Sequence, residues 1–236
     1  MKKTVVALSV VGLFSASAAL ANTKAGDLAG GLELDSKFNI DAPNVSDNSN
    51  PAHKQDFGIK LFGSYKGIGL SHKHKSGGTG ETNINYTYGF QHVYLKGEFE
   101  HVSVKNNPNV QKLGLTVGSH LNGALDVSVR YRKDAALGKN AEGEQSNIDR
   151  VDLFVGRQIT DNLYLNAKAI GFKENDAKTA TAYKGAGAKD TWTNYEVKAT
   201  FTGFDNVKPY VELERAFVPR MKRTDNNVKV GVVFPF

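Results

Sequence analysis

Leu125-Asp126-Val127-Ser128-Val129-Arg130-Tyr131-Arg132 alternates apolar and polar side chains without a break. A strand turns successive side chains to opposite faces, whereas a helix repeats about every 3.6 residues. This stretch therefore reads as a strand with one apolar and one polar face. The same parity recurs along the chain. Leu32, Leu34, Phe38 and Ile40 alternate with Glu33, Asp35, Lys37 and Asn39, and Ile84, Tyr86, Tyr88 and Phe90 with Asn83, Asn85 and Thr87. Val228, Val230, Val232, Phe234 and Phe236 alternate with Lys229, Gly231 and Val233. The pattern predicts twelve strands, near 30–40, 56–66, 68–76, 82–90, 92–104, 109–120, 123–133, 147–159, 162–174, 192–204, 207–218 and 226–236.

The links alternate in length. Tight ones fall at Lys66-Gly67, Gly89–Gln91, His120–Gly123, Thr160–Asn162 and Phe204–Asn206. Longer polar ones fall at 41–55, 76–82, 134–146, 175–191 and 218–226, with a shorter one at 105–108. Short turns on one side and longer loops on the other are the rhythm of an outer-membrane barrel. Aromatics on the apolar parity gather near the turns (Tyr65, Phe90, Phe201, Phe234, Phe236) and near the loops (Phe38, Phe57, Tyr131, Tyr195), as two headgroup girdles would. Lipid cannot satisfy a free strand edge, so the sheet must close. The expected class is all-β, a 12-stranded antiparallel transmembrane β-barrel. A soluble β-sandwich would share the alternation, but its strands average about five or six residues, shorter than those read here.

Composition narrows the choice further. The 236 residues include 24 glycines, 6 prolines and no cysteine, which excludes a disulfide scaffold, a thiolate metal site and a cysteine nucleophile. A mean hydropathy of −0.39 excludes a bundle of membrane-spanning helices. Met1-Lys2-Lys3, the apolar run Thr4–Phe14 and the ending Ala19-Leu20-Ala21 have the parts of a secretory signal peptide. The reading is a cleaved signal at 1–21 and a barrel over 22–236. Formal net charge is +6 and the pI about 9.3. Export and the lipid-facing pattern argue against a nucleic-acid partner for this basic chain.

Parity also says what faces the lumen. The inward basic residues are Lys37, Lys60, Lys73, Lys75, Lys96, Lys112, Arg130, Arg132, Arg150, Lys168, Lys198 and Lys229. The inward acids are Glu33, Asp35, Glu98, Glu100, Asp126, Asp152, Glu196, Glu212 and Glu214. The signs segregate. Lys112, Arg130, Arg132, Arg150 and Lys168 crowd strands six to nine, and Lys60, Lys73 and Lys75 lie roughly opposite on strands two and three. Two such basic tracks would draw an anionic solute through, because rings of Arg and Lys select anions and low-dielectric walls strengthen their field. The alternative is that these residues pair with inward carboxylates on neighbouring strands. Outward Lys133 and Arg215 are expected to meet anionic lipopolysaccharide headgroups.

Other motifs point elsewhere. His72 and His74 fall on the lipid parity with no carboxylate nearby in sequence, so no metal site is expected. His101 and Ser103 form an H-x-S pair on the lipid-facing parity, similar to that of outer-membrane lipid A deacylases, which leaves a lipid-modifying enzyme as an alternative. Gly77-Gly78-Thr79-Gly80 reads as a loop tip, since no helix follows to cradle a phosphate. No catalytic residue and no cofactor is expected.

Asp126-Val-Ser-Val-Arg130-Tyr-Arg132, Asn194-Tyr-Glu-Val197, Lys208-Pro-Tyr-Val-Glu-Leu213 and Val228-Lys-Val-Gly-Val232 with the terminal Phe resemble the oligogalacturonate-specific porin (KdgM) family, which includes sialic-acid porins. That resemblance implies a passive, monomeric outer-membrane channel for acidic oligosaccharides, with two lumenal basic tracks that would include Arg130, Arg132 and Arg150. The terminal Phe236 likewise resembles the porin signal read by the barrel-insertion machinery. This lumen departs from the family in leaning on lysine and in carrying many acids. A general or nucleoside-type small-solute channel and a barrel plugged by its own salt bridges stay open.

Overall fold

The structure, a computed structural model, describes residues 28–41, 55–121 and 125–236. The expected signal segment lies outside them, as do residues 42–54 of the first loop and 122–124 of one turn. The strands are β1 (Ala29–Asn39), β2 (Asp56–Tyr65), β3 (Ile68–Lys75), β4 (Thr79–Gly89), β5 (Val93–Val104) and β6 (Val110–Leu121). They continue with β7 (Leu125–Ala136), β8 (Asn147–Thr160), β9 (Leu163–Glu174), β10 (Thr191–Phe201), β11 (Lys208–Val218) and β12 (Arg223–Pro235). Each pairs antiparallel with its sequence neighbour, and β1 pairs with β12 to close the barrel. Phe236 completes that seam by exchanging two backbone hydrogen bonds with Gly30, both 3.0 Å.

Closure and alternation make the fold inside-out. Leu61, Leu70, Leu113, Leu153 and Leu213 are exposed, as are all nine aromatics assigned to the two girdles. The residues buried below a tenth of their surface include Glu33, Asp35, Glu98, Arg132 and Asp152. An apolar outer wall around a polar interior is a membrane-spanning barrel. No helix among the described residues is long and apolar enough to cross a membrane, which leaves the strands to do it.

The β2–β3 turn is two residues, Lys66 and Gly67, both with positive φ (47° and 84°), the hairpin geometry that matches strand twist. A side chain at Gly67 would also collide with the Thr87 carbonyl. Inside the barrel, glycines let tyrosines cross a strand. Tyr210 of β11 lies over Gly231 of β12, where a Cβ would sit 2.5 Å from its Cζ, and donates to Glu33 Oε1 of β1 at 2.5 Å. Tyr164 of β9 passes over Gly156 of β8 and donates to Asp126 Oδ2 of β7 at 2.6 Å. Each bond ties strands that are not neighbours.

Four expected strand boundaries shift by three residues, one of them the end of β10, which stops at Phe201 rather than 204. β4 begins at Thr79, not 82, because the β3–β4 ladder runs on to Lys75 opposite Thr79 and the turn shrinks to Ser76-Gly77-Gly78, with Lys75 and Glu81 paired diagonally at 2.5 Å. β7 runs on to Ala136, and β12 begins at Arg223 after a short 3-10 turn, Pro219–Met221. The stretch read as the 175–191 loop contains a helix, α1 (Ala177–Gly185), whose first turn is capped by Asp176 accepting from the Lys178 and Thr179 amides at 3.1 Å.

Candidate functional site: the charged lumen

Arg130, Arg132, Arg150, Lys112, Lys168, Lys60, Lys73 and Lys75 all lie on the inward parity of their strands. Register then decides their partners. Arg130 stands opposite Asp152 and Arg132 opposite Arg150, so two arginines meet across β7 and β8. Asp152 holds the cluster together. It accepts from Arg130 Nε at 3.0 Å and from Arg150 Nε and Nη2 at 2.6 and 3.0 Å. Arg130 Nη1 also reaches Glu98 at 2.8 Å, and Arg132 is held in a fork by Asp134 at 2.6 and 2.7 Å. Lys73 pairs with Asp35 at 2.5 Å, Lys112 with Glu100 at 2.5 Å and Lys168 with Glu196 at 2.9 Å. Seven of the eight therefore carry a carboxylate partner, and the lumen wall is a lattice of ion pairs rather than two bare basic tracks.

Lys60 is the exception. It lines a lumenal cavity of about 340 Å³ together with Lys73, Lys96, Lys168, Lys198 and Lys229, against Glu33, Glu81, Glu98, Glu100 and Glu212. Arg130, Arg132, Arg150, Lys112 and Lys75 are not among its lining residues. Lys60 and Lys198 make no ion pair among the described residues. Lys60 Nζ sits 5.8 Å from the Phe62 ring centre, and Lys198 Nζ lies 3.6 Å from that of Tyr210. Both face Glu33, which stands opposite Lys60 in the β1–β2 register and is bonded to Tyr210. Parity had put Lys198 inward; what it could not supply was the lack of a partner, because that depends on which carboxylates the neighbouring strands bring level with it. Uncharged polar groups complete the lining: Ser64, Ser71, Asn83, Asn85 and Asn166. Asn85 Oδ1 is buried with no hydrogen-bond partner among the described residues.

At the loop end the wall turns aromatic. Phe172 and Trp192 stack at 5.1 Å with an 8° interplanar angle, Arg150 lies 5.3 Å from the Phe172 centre, and Tyr183 of α1 meets Trp192 edge-on at 5.8 Å. Glu174 anchors the surrounding loops by accepting from Ser146 Oγ (2.6 Å) and from the Asn147 and Asp176 amides (2.8 and 3.0 Å). Arg220 bonds Glu144, joining the β7–β8 loop to the β11–β12 turn. That bond, helped by Asn140, holds the Glu144 carboxyl below the usual carboxylate range. Burial pushes the Tyr183 hydroxyl up.

His101 and Ser103 face outward two positions apart on β5 and share no hydrogen bond among the described residues. His72 bonds Thr82 at 2.9 Å. No group of three or more His, Asp and Glu able to hold a metal ion exists among the described residues.

Fold and lumen together define a small transmembrane β-barrel of porin architecture with an ion-paired polar interior. No protein-family model matches the chain, and no curated protein matches it in sequence. Solved structures do match in fold. The NanC porin superposes with a TM-score of 0.70 at 13% identity, over 86% of this chain and 98% of that one. The KdgM porin, solved in complex with disordered oligogalacturonate, gives 0.56 at 16% identity, covering 88% and 99%. The COG4313 outer-membrane channel of Pseudomonas putida F1 gives 0.56 at 10% identity, covering 92% and 98%.

Proposed function

We propose that this chain is an outer-membrane porin, a passive channel for anionic solutes and, in particular, acidic oligosaccharides. The observation that carries the reading is the pair Lys60 and Lys198, two lumenal cations without an ion-pair partner, set in a cavity whose other charges are largely matched. A carboxylated sugar entering there meets ammonium groups for its acid and Asn and Ser side chains for its hydroxyls. The paired arginines above hold the wall in shape and lend field without offering a trap, since a permeating solute must bind weakly enough to leave. Porins of related fold, one of them solved with oligogalacturonate, support the channel reading. In this reading residues 1–21 direct export, Phe236 is presented to the insertion machinery, and the barrel works as a monomer.

A second reading, a general small-solute channel, draws on the near balance of six lysines and five glutamates in the cavity. Current block separates the two. A trimer of galacturonate added to single channels in a planar bilayer is expected to interrupt the current at millimolar concentration, and a neutral trimer of equal length is not. Equal interruption by both sugars would favour the general channel.

A further inference from the structure

We infer that the outer wall of the barrel carries a binding site for the phosphorylated headgroup of a glycolipid. The inference rests on the outer-membrane reading for its orientation but not on any solute passing through the pore. On the membrane-facing side of β10 and β11, at the loop end, lies a groove of about 700 Å³ lined by Lys189, Arg215 and Lys222 with no carboxylate side chain among its lining residues. None of the three makes an ion pair among the described residues. All three are exposed, and the acid nearest to each in sequence is engaged elsewhere: Asp190 by Lys184 at 3.6 Å, Glu214 by Lys37, and Asp225 by Arg223 at 2.8 Å.

Two of the cations are placed by the ends of short helical turns: Gly187 closes α1 through its amide bond to the Lys184 carbonyl at 2.8 Å, and Lys222 caps the 3-10 turn through its bond to the Pro219 carbonyl at 3.2 Å. Lys222 adopts a left-handed conformation (φ 47°) after the 3-10 turn and lays its side chain over Gly187, itself at φ 77°. A Cβ there would sit 3.1 Å from Lys222 Nζ, so the bare glycine leaves room for the ammonium over the end of α1. Arg215 stands level with Tyr195 in the β10–β11 register, and Tyr195 supplies the apolar side of the groove toward the membrane, with Phe217 nearer the loop end. An adjoining groove of about 570 Å³ shares Lys189 and adds Lys173 and one carboxylate, Asp149, which is already bonded by Tyr131 at 2.8 Å.

Inside the barrel nearly every cation is matched, whereas here three converge unmatched where the wall leaves the hydrocarbon. A phosphate on an amphiphile satisfies both halves of the site: the anion takes the ammonium and guanidinium donors, and its acyl chains run down past Tyr195. A free phosphate would use only the upper half.

The test uses the whole barrel in detergent, titrated with bis-phosphorylated lipid A and read by native mass spectrometry. Charge removal in Lys189→Gln/Arg215→Gln/Lys222→Gln is expected to weaken binding about a hundredfold. Lipid A stripped of its phosphates is expected to bind the wild type no better than it binds the triple variant. Undiminished binding by the triple variant, or equal binding of the stripped lipid, would overturn the site. Displacement of lipid A by inorganic phosphate at the same concentration would overturn the lipid assignment in favour of a free anion. Single-channel conductance of the triple variant reports folding and the pore separately, so failure of the lipid site is distinguishable from failure of the channel reading.

Discussion

Replacing Asp152 with Asn is expected to destabilise the refolded barrel by about 3–5 kcal/mol, the usual cost of removing one partner from a buried ion pair. Asn keeps the shape and removes only the charge. Asp152 is buried, with its side chain 5% exposed, and it is the one carboxylate bonded to Arg150 among the described residues. Arg130 would retain Glu98, but Arg150 would be left facing Arg132 across the β7–β8 register. The measurement is the urea midpoint of the barrel in lipid vesicles, followed by gel mobility. Arg150→Gln in the same background is expected to recover most of the loss, because the liability in the single variant is the unpaired guanidinium. A single variant as stable as the wild type would show the lattice to be a surface arrangement of little energetic weight.

Lys60→Glu/Lys198→Glu is expected to turn the pore from anion to cation preference. A unit charge acts on an ion about 6 Å away with about 0.7 kcal/mol even at the dielectric of water. Sign reversal at two positions thus exceeds the roughly 1.4 kcal/mol that a tenfold permeability ratio requires. The effect should shrink with added salt, since the Debye length falls from about 10 Å at 0.1 M to about 3 Å at 1 M. Lys112→Glu, at a residue outside the cavity lining and already paired with Glu100, is the control. If Lys112→Glu shifted selectivity as far as the double variant, the two unpaired lysines would not be the selective element.

The strands were legible because alternation is a local signal. Leu125–Arg132 declares its two faces without reference to any other residue, and the girdle aromatics follow the same parity. Strand ends were less legible where glycine stands for both turn and strand: Thr79 and Gly80 join β4 by pairing with Lys75 and His74 across the hairpin, a register that only the folded sheet sets. The helix α1 did leave a trace, Asp176 before an Ala- and Thr-rich run that ends at Gly185, but it interrupts a segment dominated by strand signals. For the lumen, the inward set was readable and its pairing was not. Arg130 and Asp152 are 22 positions apart, and Tyr210 and Glu33 are 177 apart, so their contacts exist only once register and closure are fixed. Which lysines lack a partner is a property of the closed barrel.

The reversal potential of the wild-type pore in a KCl gradient across a planar bilayer tests the central claim most directly. An open channel whose potential lies toward the chloride equilibrium value, increasingly so as salt is lowered, is the predicted result. A potential on the potassium side, or a folded barrel that passes no current, would contradict it.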